Sequence, residues 1–176
     1  MENDSWIQTA NGRMAWPLNP EGWIPYIDDV AIALSHLCRF GGQTPHFYSV
    51  AQHCLQVSYA VSEEHALAGL LHDVAEAYLV DLPSPIKRTL PAYSEIEDKL
   101  IPHLLHYLAP DVAFPWTEEV LEADVRMLAT ERRDLLAPAP APWGIEHVKP
   151  YRDRVAPMNP DRARVMFLRR YEELTR

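Results

Sequence analysis

A histidine and an aspartate stand side by side, His72-Asp73, inside a stretch that is otherwise apolar at helical spacing. Leu67, Leu70, Leu71, Val74, Ala77 and Tyr78 recur at three- and four-residue steps, which predicts an amphipathic helix buried along that face. A carboxylate left unpaired in such an interior must either bear a desolvation cost of several kcal/mol or take up a proton. The fold therefore has to bring it a compensating group, and a metal ion is the simplest one. Glu76 lies four residues after His72 and three after Asp73, one helical turn along and near both. Three groups able to bind a metal or a proton thus face one spot, and other helices must close around it.

The 176 residues are 48% hydrophobic, enough for one globular domain over 1–176 with a sizeable core. A formal net charge of −9 argues against the basic face of a nucleic-acid-coating or membrane-surface protein, so neither partner is expected. Residues 1–125 carry 5 basic and 18 acidic side chains, whereas 126–176 carry 11 and 7. An acidic site holding a cation fits the first part, as do solvated helix faces. Cys38 and Cys54 sit in apolar helical patterns and read as buried thiols. There is no run of about 18 apolar residues and no basic stretch leading into an apolar one at the start. A soluble, cytoplasmic protein is the expectation.

Turn chemistry and periodicity predict the elements. Residues 6–18 form two short extended runs around Asn11-Gly12, a dipeptide suited to a tight hairpin. Asp28 or Asp29 caps a helix that carries Ile32, Leu34, Leu37 and Cys38 and stops at Gly41-Gly42. Ser49 caps a helix with Val50, Cys54, Val57 and Val61 on one face and His53 beside it. A central helix runs from Ser62 to about Leu79 and ends before Asp81-Leu82-Pro83-Ser84-Pro85, where two prolines forbid more helix. Further helices are predicted over 94–108, with a kink or restart at Pro102, from Thr117 to about Leu136 with Asp124 near the apolar stripe, and over 160–174 with Val165, Phe167, Leu168 and Tyr171 buried. The alternating Ala-Pro run 137–142 is extended over the surface. The chain is predicted all-α apart from its N-terminal hairpin.

From three of these helices His53, His72, Asp73 and Asp124 make a candidate ligand set. Two imidazoles and two carboxylates suit a borderline divalent ion such as manganese, iron, cobalt, nickel or zinc better than calcium or a structural zinc cage. An adjacent His-Asp pair is by itself a weak signal.

Five segments in order strengthen it: Arg39-Phe40, then Tyr48 to His53, then Leu71 to Ala77, then Asp81 to Lys87, then Ala123-Asp124. Together they resemble the HD-domain phosphohydrolases, and among them the small bacterial and phage proteins similar to 5′-deoxynucleotidases of the YfbR type. The resemblance spans residues 39–124, about half the chain. It implies an HD-domain helical bundle, a divalent metal ion (cobalt, manganese, zinc, nickel, iron or magnesium) on His53, His72, Asp73 and Asp124, and a nucleotide substrate. It also implies that Glu76 assists the attacking water, and a homo-oligomeric assembly is expected. Arg39 and Lys87 are candidates to clamp phosphate oxygens, and Asp81 to bond a ribose hydroxyl or protonate the leaving group.

Each role has a plainer rival. Glu76 can be a solvated helix residue, Asp81 a turn cap, Arg39 a cation at a helix C-terminus and Phe40 a core plug. Phe40, a candidate to offer a ring face to the substrate's base, stands where the deoxynucleotidases tend to carry tryptophan, and Gly41-Gly42, which follow it, have no side chains to block close approach. The N-terminal hairpin matches phage-type relatives, some of which resemble deoxynucleoside triphosphohydrolases. The expected activity is therefore metal-dependent hydrolysis of a deoxynucleotide, with a 5′-deoxynucleotidase first, a triphosphohydrolase second, and a non-catalytic nucleotide-binding helical module as the reading of a different class.

Overall fold

A computed structural model describes residues 5–176. Asn11 and Gly12 turn the chain as expected, Gly12 at φ 76°, and β1 (Ile7–Gln8) pairs antiparallel with β2 (Met14–Ala15), Ile7 opposite Ala15. One buried carboxylate pins this hairpin. Asp29, in the first turn of α1 (Ile27–His36), accepts from Asn11 Nδ2 at 2.7 Å and from Arg13 Nη1 at 2.9 Å.

The helix α1 stops short of Gly41-Gly42. Cross-chain pairing replaces it: Val50 N donates to Leu37 O, Arg39 N donates to Tyr48 O, and Cys38 bridges to Ser49. Residues Arg39–Gly42 then form a separate 3-10 turn with Phe40 at φ 57° and Gly41 at φ 58°. Cys38 is therefore outside any helix and only half-buried, unlike Cys54, which is buried in α2 (Val50–Ala60). Ser49 caps α2 as expected, accepting from Gln52 N at 3.2 Å.

The central helix is not continuous. A 3-10 turn over Glu63–His65 leads into α3 (Ala66–Leu71), and α4 (Glu76–Leu79) follows only after a tightened turn. Val74, Glu76, Ala77 and Tyr78 each donate to a carbonyl three residues back rather than four. At three residues per turn, side chains at i and i+3 eclipse. Asp73 and Glu76 are thereby brought to one side.

The prolines behave differently from expectation as well. Pro85 starts the short helix α5 (Ser84–Lys87), since a missing N–H is harmless in a first turn. For the same reason Pro91 opens α6 (Pro91–Leu108) three residues before Ser94, and this helix runs through Pro102 unbroken. Next come α7 (Glu118–Leu135) and α8 (Pro160–Leu174), the latter capped by Asn159.

The main core joins Val30 and Leu34 of α1, Leu55 of α2, Leu70 and Leu71 of α3, Leu100 and Leu104 of α6, and Ala163 and Phe167 of α8. A second cluster of Tyr48, Val57, Met127, Leu135 and Val155 lies between α2 and α7. Val165, expected in the core, is exposed because it falls two residues from the 163–167 stripe. Arg170 is buried instead, donating to Ser58 Oγ and lying over the Tyr59 ring. Gln52 fastens the C-terminal strap, donating to Ala156 O at 2.7 Å and accepting from Met158 N at 2.8 Å. Among the described residues no helix is long and apolar enough to cross a membrane.

The approach of α2 to α3 is what sets the site. A Cβ on Gly69 would lie 3.2 Å from the Ser58 backbone N and Cα and 3.3 Å from the Val57 carbonyl carbon. Backbone in a packed helix pair yields little, so Gly69→Ala should cost about 1–3 kcal/mol of overpacking, against about 0.5–1 kcal/mol gained in helix propensity. Thermal unfolding should show a net fall in Tm. A Tm at or above wild type would mean that the two helices separate freely.

Candidate metal centre

Four donor atoms converge from three places in the chain. The middle of α2 supplies His53, the tightened turn after α3 supplies His72 and Asp73, and α7 supplies Asp124. His53 Nε2 lies 3.1 Å from His72 Nε2, 3.0 Å from Asp124 Oδ1 and 3.7 Å from Asp73 Oδ2. His72 Nε2 lies 3.3 Å from Asp73 Oδ2 and 3.8 Å from Asp124 Oδ1. The two imidazoles are buried and form the floor, while the Asp124 side chain, 37% exposed, forms a rim open to solvent.

The far nitrogens decide what the near ones can do. His72 Nδ1 lies 2.8 Å from the Gly69 carbonyl, and His53 Nδ1 lies 2.7 Å from Glu131 Oε1. Both partners accept only, so each Nδ1 carries a proton, and a neutral ring then offers a lone pair at Nε2. Two lone pairs and two carboxylates facing one another repel unless a cation lies between them. With metal–ligand bonds of about 2.0–2.2 Å, neighbouring donors on one ion stand about 3 Å apart, which the shortest separations match. The buried group His53, His72 and Asp73, whose ligand atoms lie within 4.8 Å of one another, can hold a metal ion.

Without a metal, protons take its place. Burial lowers the His53 pKa and so does Arg39, but Glu131 and the hydrogen bonds to Asp124 and Glu131 outweigh both and raise it to about 9. His72 is opposed by burial yet raised by Asp73. Despite burial, Asp73 is held low by His72, and Asp124 by its bond to His53. A group whose folded pKa is raised contributes stability that is complete below its unfolded value and is lost as pH rises through the folded one. Chelator-treated protein should therefore lose thermal stability between about pH 6.5 and about 9, and saturating divalent ion should abolish that loss. A flat melting profile in the chelated protein would count against the assignment.

Glu131 is a residue that sequence reasoning missed. It is fully buried on α7 and accepts from His53 at 2.7 Å and from the Tyr48 hydroxyl at 2.8 Å, with Arg39 Nε 3.2 Å from its second oxygen. Those partners keep its pKa below the usual value despite burial. The signal was present: Glu131 follows Asp124 by two helical turns, on the stripe of Ala123 and Met127. Set in Thr-Glu-Arg-Arg-Asp, it passes for a solvated face. Carboxylates that orient ligating histidines are typically worth about 10–100-fold in metal affinity. Glu131→Gln should weaken metal binding by that order, measured by metal titration, and lower Tm because Arg39 loses its buried counter-charge. Unchanged affinity would reduce Glu131 to a packing role.

The other candidate residues are placed unequally. Arg39 is committed between Glu131 and Asp73, 3.5 Å from the latter, and so touches the cluster directly. Glu76 is buried and its Oε2 has no hydrogen-bond partner. Burial, then Asp73 and Asp81, push its pKa well above the usual carboxylate range. Asp81 is raised too, by burial first and then by Asp73 against the opposing pull of Arg39. Phe40 is half-buried beside Arg39 and belongs to neither apolar cluster, so it is not a core plug. Lys87 is paired with Glu97 and lies over the Tyr93 ring, reaching the site only through its field on Glu76.

Fold and site define a mostly helical protein, with a small two-stranded sheet, built around a group able to bind a metal. No family model matches the chain. It is 38% identical over 177 residues to the uncharacterised protein YfdR of Escherichia coli K12, covering 97% of this chain and 96% of that protein. It is also 34% identical over 106 residues to an uncharacterised protein of Rhodobacter capsulatus, 54% of each chain. The chain belongs to the family of YfdR.

Proposed function

We propose that this protein is a metal-dependent phosphohydrolase of the HD type acting on deoxynucleotides, with 5′-deoxynucleotidase activity as the first reading. The observation that carries the proposal is the buried, unpartnered Oε2 of Glu76 beside a cluster that calls for a cation. A site that only bound metal or nucleotide would have no use for a carboxylate desolvated at such cost.

On this reading His53, His72, Asp73 and Asp124 hold a divalent ion, and their mixed nitrogen and oxygen set suits manganese, iron, cobalt, nickel or zinc. Such an ion supplies Lewis acidity toward a phosphoryl oxygen and lowers the pKa of water beside it. Glu76 orients the attacking water and accepts its proton, and the burial that raises its pKa makes its carboxylate a stronger base. As the water oxygen bonds to phosphorus, the phosphorus bond to the 5′ oxygen breaks. Asp81, also raised, can return a proton to that leaving oxygen. Arg39 offers guanidinium N–H groups to phosphate oxygens from its place beside Asp73.

The test is phosphate release from deoxynucleoside mono- and triphosphates after chelation and return of Mn²⁺, Co²⁺ or Zn²⁺. Release of triphosphate rather than phosphate would make it a triphosphohydrolase, and no metal-dependent product from either panel would sink the proposal. Glu76→Gln should retain metal yet lose about 10²–10⁴-fold in kcat. A kcat within a few-fold of wild type would remove Glu76 from the chemistry.

A further inference from the structure

We propose that Trp143, from the turn that follows the alternating Ala-Pro run, is the second wall of the base site and holds the planar ring of the substrate against Phe40. This deepens the phosphohydrolase reading and rests on it. The two residues are far apart in the chain, yet their ring centroids lie 6.4 Å apart with planes tilted by 52°. Neither belongs to an apolar cluster, and Trp143 is 42% exposed.

An arginine backs each ring. The Arg39 guanidinium carbon lies 5.5 Å from the Phe40 centroid and that of Arg132 lies 5.0 Å from the Trp143 centroid. The order Arg132, Trp143, Phe40, Arg39 leads to Asp73 of the metal cluster, 3.5 Å from Arg39. A molecule with its phosphate at Arg39 and its ring at Phe40 and Trp143 therefore has the chemistry of a nucleotide.

Trp143 is also held in place. Glu146 accepts from the N–H groups of Trp143 at 2.8 Å and Gly144 at 2.9 Å and from Arg132 Nη1 at 2.9 Å, while Gly144 takes φ 83°. Those donors keep the Glu146 pKa near 2. A flat ring sandwiched between two others needs them about 7–8 Å apart, twice the contact distance of carbon atoms. Opening the slot takes a rotation of the exposed Trp143 ring out of its 52° tilt together with an outward shift of roughly 1 Å. Aromatic stacking of this sort accepts every base, with modest preferences among them.

Deoxyribose 5-phosphate, a substrate without a base, provides the control. Trp143→Ala should raise KM for dAMP and dCMP by about 5- to 100-fold and leave kcat/KM for deoxyribose 5-phosphate and bound metal unchanged. Trp143→Phe should keep most of the affinity. Calorimetric titration with dAMP reads the same contact without turnover. Wild-type hydrolysis of dAMP and dCMP with an unaltered KM in Trp143→Ala would overturn this inference and leave the phosphohydrolase reading standing. Wild-type binding of dAMP that is lost in Trp143→Ala, without hydrolysis of deoxynucleoside mono- or triphosphates by either, would support the slot and overturn the hydrolase. Absence of both binding and hydrolysis in wild type would overturn the two together.

Discussion

The Glu131 carboxylate holds three separate parts of the chain at one point. It is fully buried, and it meets His53 of α2, Tyr48 of the segment before α2 and Arg39 of the 3-10 turn. An unpaired carboxylate there would cost several kcal/mol, so these partners form as a set or the packing of α7 on α2 fails. The same contact fixes the His53 proton on Nδ1 and turns its Nε2 toward His72. Packing and site chemistry are thus one arrangement, carried by a single buried charge.

The second determinant is local. Periodicity over 62–79 reads as one helix because the apolar steps of three and four fit α-helical and 3-10 spacing alike over so short a run. What breaks the helix is the sequence of contacts three residues back through 72–75, together with the His72 ring bonding the Gly69 carbonyl. Neither leaves a mark in hydrophobic spacing. The consequence is chemical as well as geometric: eclipsing Asp73 and Glu76 puts two carboxylates together and contributes to the raised pKa of Glu76.

Most helices and the hairpin were legible because each has a local cause, such as Asn11-Gly12 at the turn, Ser49 at an N-cap, or the apolar stripe through Phe167. His53, His72 and Asp73, which the fold gathers into one group able to hold a metal, were picked out with Asp124 through the resemblance of their ordered segments, since the His-Asp pair alone is a weak signal. Glu131 was not, since its place on the Ala123–Met127 stripe is masked by the arginines beside it, which make the segment read as a solvated face. Trp143 was hidden because Phe40 is its partner only through the folding of α7 and the segment after it. Pro85 was read only as a helix breaker, whereas a proline's effect depends on whether it falls in a first turn or an interior, and Pro85 falls in the first turn of α5.

Environment divides the acidic residues into two sets, and the division follows position relative to the cations. Asp73, Asp124 and Glu131 face imidazoles or Arg39 and are held below the usual carboxylate range. Glu76, buried, and Asp81, half-buried, are held above it by desolvation first and then by neighbouring carboxylates, in Asp81 against the pull of Arg39. Between the latter two stands Val80, at φ 68° and ψ 158°, a conformation that β-branched residues rarely adopt and that costs on the order of 1–3 kcal/mol. Tyr93 from α6 secures it by donating to the Val80 carbonyl. A relaxed backbone at Val80 would carry Asp81 elsewhere, so the strain has a definable effect: it holds a second proton-carrying carboxylate within the field of Asp73 and Arg39. Under the proposed function the two raised carboxyls, Glu76 and Asp81, handle protons, while Asp73 and Asp124 stay ionised as metal ligands and Glu131 stays ionised to hold His53.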